Sequence, residues 1–292
     1  MNKKILLVGT VSNVANTIEK ELKVVLKALS VFGSVKVLLI ESDSTDETVR
    51  VLEKVKSDNG NFDFVTLGKL KDKFPDRIQR IAYCRDKYVE YIRDKNVFYE
   101  LDYVAVADLD GMNFKLKRKG IESCLKTDTY WDGVMANQKF GYYDIYALRS
   151  PGWVEEDCFI SISRDKELSN HPKIFHVSLI DFFIQFNHFD KFRKKHIYDQ
   201  MKIIKKNNKF IPALSAFGGF AIYKPNVFLN SYYSALHVNQ SEHVNFHTTS
   251  LNTKLSFYIN PRLINNWFNS YNINKFYFIR LVREFTKYIG LH

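Results

Sequence analysis

Through its first half the chain alternates short apolar runs with amphipathic stretches of helical period, and this alternation constrains the fold more than any other feature. Runs over 5–9, 35–40 and 62–67 read as buried strands, as does Val104-Ala105-Val106-Ala107, opened by Tyr103. Between them, a helix over 13–32 carries Val14, Ile18, Leu22, Val25, Leu26 and Leu29 on one face. A second starts at Asp46, with Ser44 or Thr45 as N-cap and Val49, Leu52 and Val55 inward, and a third, longer helix spans 77–94. Such alternation predicts an α/β fold, a mostly parallel sheet with helices on both faces. Ligands of these sheets bind beyond the carboxyl ends of strands, so function is sought in the turns that follow them.

Two of those turns are acidic. The run 104–107 ends in Asp108-Leu109-Asp110-Gly111, two carboxylates one residue apart where a strand leaves the core. Like charges this close call for a cation, and hard oxygen ligands suit Mg²⁺ or Mn²⁺ holding a phosphorylated substrate. The other turn is Glu41-Ser42-Asp43-Ser44-Thr45-Asp46, of which Asp46 and Glu47 read as helix-start acids.

The 292 residues carry a net charge of +11, which implies an anionic partner: nucleic acid, a sugar nucleotide or an anionic membrane surface. No helix-turn-helix, zinc-finger or RNA-recognition pattern accompanies the dispersed lysines, so nucleic acid is not expected. Cys84, Cys124 and Cys158 show no metal-type spacing, and their odd number fits a reducing compartment. The first apolar run is too short for a signal sequence, and no window reaches the roughly twenty apolar residues of a membrane span. A cytoplasmic protein is expected, with peripheral contact on the inner face of a membrane as a further expectation. From about residue 129 the chain becomes aromatic-rich and irregular, with no linker, so both halves are expected to share a core. The expected division is 1–128, 129–270 and a basic amphipathic C-terminal helix over 271–292. In that helix Phe278, Leu281, Val282, Phe285 and Ile289 make one stripe beside Lys275, Arg280, Arg283 and Lys287. It would lie on an anionic membrane or dock onto the domain or a second subunit.

The order of these pieces carries a resemblance. A strand, the Glu41 to Thr48 turn, a helix with Arg85-Asp86, and a strand ending in Asp108-Leu109-Asp110 together resemble a nucleotide-sugar-dependent glycosyltransferase of the GT-A fold. Downstream, Ala136-Asn137-Gln138, Tyr143 to Arg149, Gly218 to Tyr223 and Glu242-His243-Val244-Asn245-Phe246-His247 are similar to bacterial relatives of the fungal capsule-associated mannosyltransferases. The resemblance runs from about Ile5 to Asn265. The fungal enzymes usually lack the full Asp-x-Asp, so mannose specificity does not carry over. It implies a GT-A (Rossmann-like) sheet with an aromatic-rich C-terminal acceptor part, a nucleoside-diphosphate sugar donor, Mn²⁺ or Mg²⁺, and a glycan or lipid-linked acceptor. The Lys/Asn/Ile/Phe-rich composition suggests a bacterial source and hence lipopolysaccharide, capsule or a related glycan.

The resemblance also assigns roles. Glu41, Ser42 and Asp43 would contact the nucleoside, and Arg85 the diphosphate or a carboxylate, with pairing to Asp86 or Asp108 as the other reading. Asp110 would bind the metal directly and Asp108 the ribose or metal, with His247 first and His243 second as the third ligand. Glu242 would be the general base of an inverting transfer, or in a retaining one would orient His247 or the donor. Gly218-Gly219 would line the acceptor pocket. Tyr142, Tyr143 and Asp144 suit sugar binding by residue type, since aromatic faces pack on sugar C–H groups; core packing and an Asp144–Arg149 pair are the alternatives. Arg77 and Arg80, near one turn apart, read as surface residues within reach of phosphate. The remaining functional class is a basic nucleotide- or nucleic-acid-binding protein without transferase activity.

Overall fold

The computed structural model describes residues 2–169, 179–234, 240–249, 255–269 and 272–288. Strand β1 (Lys4–Val11) leads through α1 (Ile18–Leu29), β2 (Ser34–Glu41), α2 (Thr48–Asp58), β3 (Phe62–Thr66), α3 (Arg77–Arg93) and the short α4 (Lys95–Phe98) to β4 (Tyr103–Ala107). These four strands pair in parallel in the order β3-β2-β1-β4, with Val8 opposite Leu38 and Leu7 opposite Ala105. Side chains alternate across them as the pleat requires. Leu6, Val8, Ile40, Val104 and Val106 meet Tyr88, Val89 and Ile92 of α3 on one face. Ile5, Leu7, Leu39, Ala105 and Ala107 meet Ile18, Leu22, Val25 and Leu29 of α1 on the other. Each fully buried aliphatic side chain contributes about 1.5–3 kcal/mol, which is what makes runs without polar residues form central strands.

The second half completes the same sheet. It comprises α5 (Arg118–Leu125), β5 (Gly133–Gln138), α6 (Cys158–Glu167), α7 (Leu179–Arg193), β6 (Ile211–Ala213), β7 (Phe220–Tyr223), α8 (Glu242–Thr249), β8 (Phe257–Asn266) and α9 (Tyr277–Tyr288). Strand β7 inserts antiparallel between β4 and β5, β8 runs parallel to β5, and β6 closes the far edge antiparallel. Four of the seven pairings are therefore parallel, as the alternation predicts. Because β7 reverses the direction twice, β4, β5 and β8 all point the same way. The carboxyl ends of β1, β2, β4, β5 and β8 and the start of β7 share one edge.

Two local expectations shift. The first helix begins at Ile18 and not at 13, because Asn13 takes a left-handed backbone (φ 53) and its side-chain carbonyl accepts from the Thr45 N–H at 2.8 Å. Ser44 and Thr48 in turn accept from the backbone N–H groups of Asn13 and Val14. The hydroxyls that look like caps of α2 instead tie the β1 and β2 loops together, and α2 starts at Thr48 without a side-chain cap. Among the described residues no helix is long and apolar enough to cross a membrane. Helix α9 packs on α7 through Phe285 and Tyr288 against Phe182, and Arg280 pairs with the buried Asp190 at 2.6 Å. Ile289, expected in its apolar stripe, lies outside the described residues.

Candidate active site

A cavity of about 580 Å³ opens at the shared edge. Its floor is the end of β4. The Asp108 N–H donates to the Gly219 carbonyl at 3.0 Å, which fixes the first acid against the start of β7. The turn that follows is held from below by Glu21, a fully buried carboxylate on α1 that accepts from the backbone N–H of Gly111 at 2.6 Å and of Asn113 at 2.7 Å. Burial pushes Glu21 up to about 7, against the two N–H donors that favour its charged form. Asp110 lines the cavity from an exposed position, and desolvation of its carboxylate followed by the charge of Asp108 raises it to about 6.

Arg85 spans the back of the site. Its guanidinium lies 2.8 Å from Asp108 Oδ1 and 3.4 Å from Glu242 Oε1, with Phe217 and Tyr233 against its faces. It is therefore the partner of Asp108, while Asp86 accepts from the backbone of Tyr233 and Ser234. Glu242 opens α8 and faces the cavity, and burial raises its pKa, with Arg85 acting in the opposite direction. His243 stacks on Phe217 at 3.8 Å between ring centroids, lines the cavity, and has no hydrogen-bond partner at either ring nitrogen among the described residues. Burial, with Arg85 and His247 nearby, holds it well below the usual imidazole range, so it is neutral.

On the second wall, Ser42 and Asp43 reach the cavity at the end of β2. Asp43 has φ 58, and its Oδ1 accepts from the N–H groups of Leu70 and Lys71 at 2.8 and 2.9 Å. That contact brings Lys71 to the rim, where Arg77 and Arg80 also line the cavity. Arg80 is anchored by donating to the carbonyls of Phe74 and Pro75. Tyr143 and Asp144 complete the lining. Asp144 accepts from the Gly218 N–H at 3.0 Å, and burial lifts it to about 6. It does not pair with Arg149, which binds Asp157 at 2.8 Å, and Tyr142 is a core residue whose hydroxyl accepts from the Phe217 N–H.

Three expectations are corrected. Glu41 is turned away: Oε1 accepts from the Ser44 N–H, Oε2 accepts from the Thr66 hydroxyl, and the residue does not line the cavity. His247 is likewise a core side chain, its Nδ1 bonded to Ser215 Oγ and its Nε2 to the Tyr223 hydroxyl, both at 3.0 Å. Burial takes it down to about 3, and with both nitrogens used it offers a metal no lone pair. Gly218 and Gly219 sit behind the wall, where Phe217 is the lining residue. Gly218 has φ 70, and a Cβ there would lie 2.8 Å from the Ala136 carbonyl oxygen, so only glycine fits.

Sequence reading missed Glu21, Asn113 and Asn265. The last two link the Asp110 turn to Gly218, since Asn265 Nδ2 donates to Asn113 Oδ1 at 3.2 Å and to the Gly218 carbonyl at 2.8 Å. Glu21 left a signal: it lies three residues after Ile18 and four before Val25, a charge on the buried stripe of α1.

Asp108 and Asp110 supply the hard, anionic donors that Mg²⁺ or Mn²⁺ takes, and Asp110, raised by desolvation and then by its neighbour's charge, is the group a cation would return to its ionised form. Among the described residues no cluster of three His, Cys, Asp or Glu side chains forms a complete cage. The arrangement fits an ion whose remaining ligands come from phosphate and water, the usual habit of Mg²⁺.

No protein-family model and no curated protein sequence matches the chain. Among solved structures it is similar to S. aureus TarS 1-349, at 10% identity over 88% of this chain and 57% of that one, with a TM-score of 0.45. It is also similar to the mannosyltransferase PcManGT from Pyrobaculum calidifontis in complex with GDP-Man and Mn²⁺, at 10% identity over 99% and 64% of the two chains, TM-score 0.45. A third is M. tuberculosis glucosyl-3-phosphoglycerate synthase, at 10% identity over 99% and 82%, TM-score 0.43. The chain spans less than two thirds of the length of the first two.

Proposed function

We propose that the chain is a metal-dependent glycosyltransferase that moves a sugar, a hexose on this reading, from a nucleoside-diphosphate sugar to a glycan or lipid-linked acceptor. One observation carries this reading. At the carboxyl edge of the sheet, two carboxylates one residue apart share a cavity with Arg77, Arg80 and Lys71, the mixed charge that a diphosphate bridged by a divalent cation complements. Asp110 and Asp108 would hold Mn²⁺ or Mg²⁺, which when bound supplies positive charge to the leaving diphosphate. Ser42 and Asp43 are the nucleoside-side residues, while Tyr143, Asp144 and His243 face the sugars.

Glu242 acts as the base. It takes the acceptor hydroxyl proton as the acceptor oxygen bonds to the anomeric carbon and the bond from that carbon to the diphosphate oxygen breaks, the electron pair leaving with the diphosphate. Burial that raises its pKa makes it a stronger proton acceptor near neutral pH. The 3.4 Å contact with Arg85 supports a second role for the same carboxylate, orienting the donor in a retaining transfer. Incubation with UDP- and GDP-sugars in the presence of Mn²⁺ or EDTA tests the proposal. Metal-dependent release of UDP or GDP from at least one donor is expected, and release from none, or release undiminished by EDTA, contradicts it.

A further inference from the structure

A second feature lies beside the cavity, on the helical side. Residues 191–209 carry eight lysines and arginines against a single acid, Asp199. Lys202, Lys205, Lys206 and Lys209 are exposed and make no ion pair among the described residues, and Ile203 between them is 59% exposed. The first part of this strip is fastened to α9 and to the turn before it: Lys275 Nζ donates to the Met201 carbonyl at 2.8 Å, Arg193 meets Glu284 at 3.5 Å, and Arg280 lies over the Tyr198 ring at 4.4 Å. Helix α9 turns Phe285 and Tyr288 onto α7, yet Phe278, 72% exposed, and Val282 one turn later remain in solvent, preceded by Phe276 at 56%. Exposed Phe183 and Ile184 on α7 add to the apolar surface. Packing among the described residues therefore accounts for one side of α9 and leaves Phe278 and Val282 exposed on another.

We propose that this helical unit docks the protein on an anionic phospholipid bilayer, with Phe278 and Val282 entering the interface and the lysines of 202–209 meeting lipid phosphates. The two chemistries together select the occupant. A bare phosphate polymer would engage the lysines and leave the apolar side chains in water, whereas an anionic bilayer offers phosphate at its surface and hydrocarbon beneath. The same unit supplies Ile197, Tyr198, Met201 and Asn274 to the cavity wall, so a docked molecule holds the cavity beside the membrane. Resting on the transferase reading above, this favours a lipid-linked acceptor over a free glycan.

Flotation of the full chain with phosphatidylglycerol–phosphatidylcholine vesicles and with phosphatidylcholine vesicles tests the docking. The protein is expected to float with the anionic vesicles only. Phe278→Asp/Val282→Asp and Lys202→Glu/Lys205→Glu/Lys206→Glu should each lower the bound fraction at least about tenfold. Both sets are exposed, so Tm and the thermal shift with Mn²⁺ and UDP or GDP should match wild type. Absence of wild-type flotation overturns the proposal. So does wild-type flotation of the Phe278/Val282 variant beside loss in the lysine variant, which would show charge attraction without insertion. Flotation without any nucleotide shift leaves the docking in place and removes the transferase reading and its acceptor consequence.

Discussion

Arg85 is the residue on which the charges of the site converge, a buried cation between Asp108 and Glu242. Replacing it by Met leaves both carboxylates without their cation, and a loss of about 3–5 kcal/mol in urea unfolding is expected. The two histidines of α8 should separate by assay. His247→Ala strands the Ser215 and Tyr223 hydroxyls in the core and opens a void, for a loss of about 2–4 kcal/mol with the Mn²⁺ requirement of turnover unchanged. His243→Ala removes a ring that lines the cavity and makes no hydrogen bond among the described residues, so turnover should fall more than stability. A raised Mn²⁺ requirement in His247→Ala would contradict its place in the core. Glu242→Gln keeps the size and loses the proton acceptor. Transfer is expected to drop about 10²–10⁴-fold with nucleotide affinity near wild type, and NMR should find the product's anomeric configuration inverted. A retained configuration would exclude the base role.

At the scale of elements, the turn after β4 is the piece whose position matters most, and it is held by residues from α1, from β8 and from the loop just before β7. Gly218→Ala should strain that support, with a Tm several degrees lower, because the added Cβ meets backbone oxygen at a positive φ. The strands β1 to β4 and the Asp108–Asp110 turn were readable because their signals are local: an unbroken apolar run, then two acids. The orientation of Glu41 was readable in principle, since alternation puts it on the side of Leu39 and α1, opposite Ile40 and the Cys84 of α3. The partners of His247 were not. Ser215 and Tyr223 reach it from β7 and the loop before it, and the four residues of β7 are too short a pattern to announce an antiparallel strand in the middle of a parallel sheet. Asn113 and Asn265 were invisible for the same reason: 152 residues separate two amides that touch only in the folded chain.

For the molecule as a whole, the raised carboxylates set a pH dependence. Glu21 moves from 4.5 to about 7 and Asp144 from 3.8 to about 6, so the native chain holds protons the unfolded chain has released. Their stabilising contribution is full below about pH 4 and is lost as pH rises through about 6 to 7. The Tm of metal-free protein, as far as these groups set it, should fall across that window, and Glu21→Gln should flatten its upper part. A Tm profile that Glu21→Gln leaves unaltered would contradict the burial of that charge.

Asp108 and Asp110 are proposed to form a metal-dependent diphosphate site at the carboxyl edge of the sheet. Isothermal titration calorimetry with UDP and with GDP, each in Mn²⁺ and in EDTA, on wild type and Asp110→Ala, tests it most directly. At least one nucleotide should bind wild type in Mn²⁺, weaken at least about tenfold in EDTA, and bind Asp110→Ala weakly whether or not Mn²⁺ is present. Binding of equal strength in all four conditions, or in none, would rule out Asp108 and Asp110 as that site.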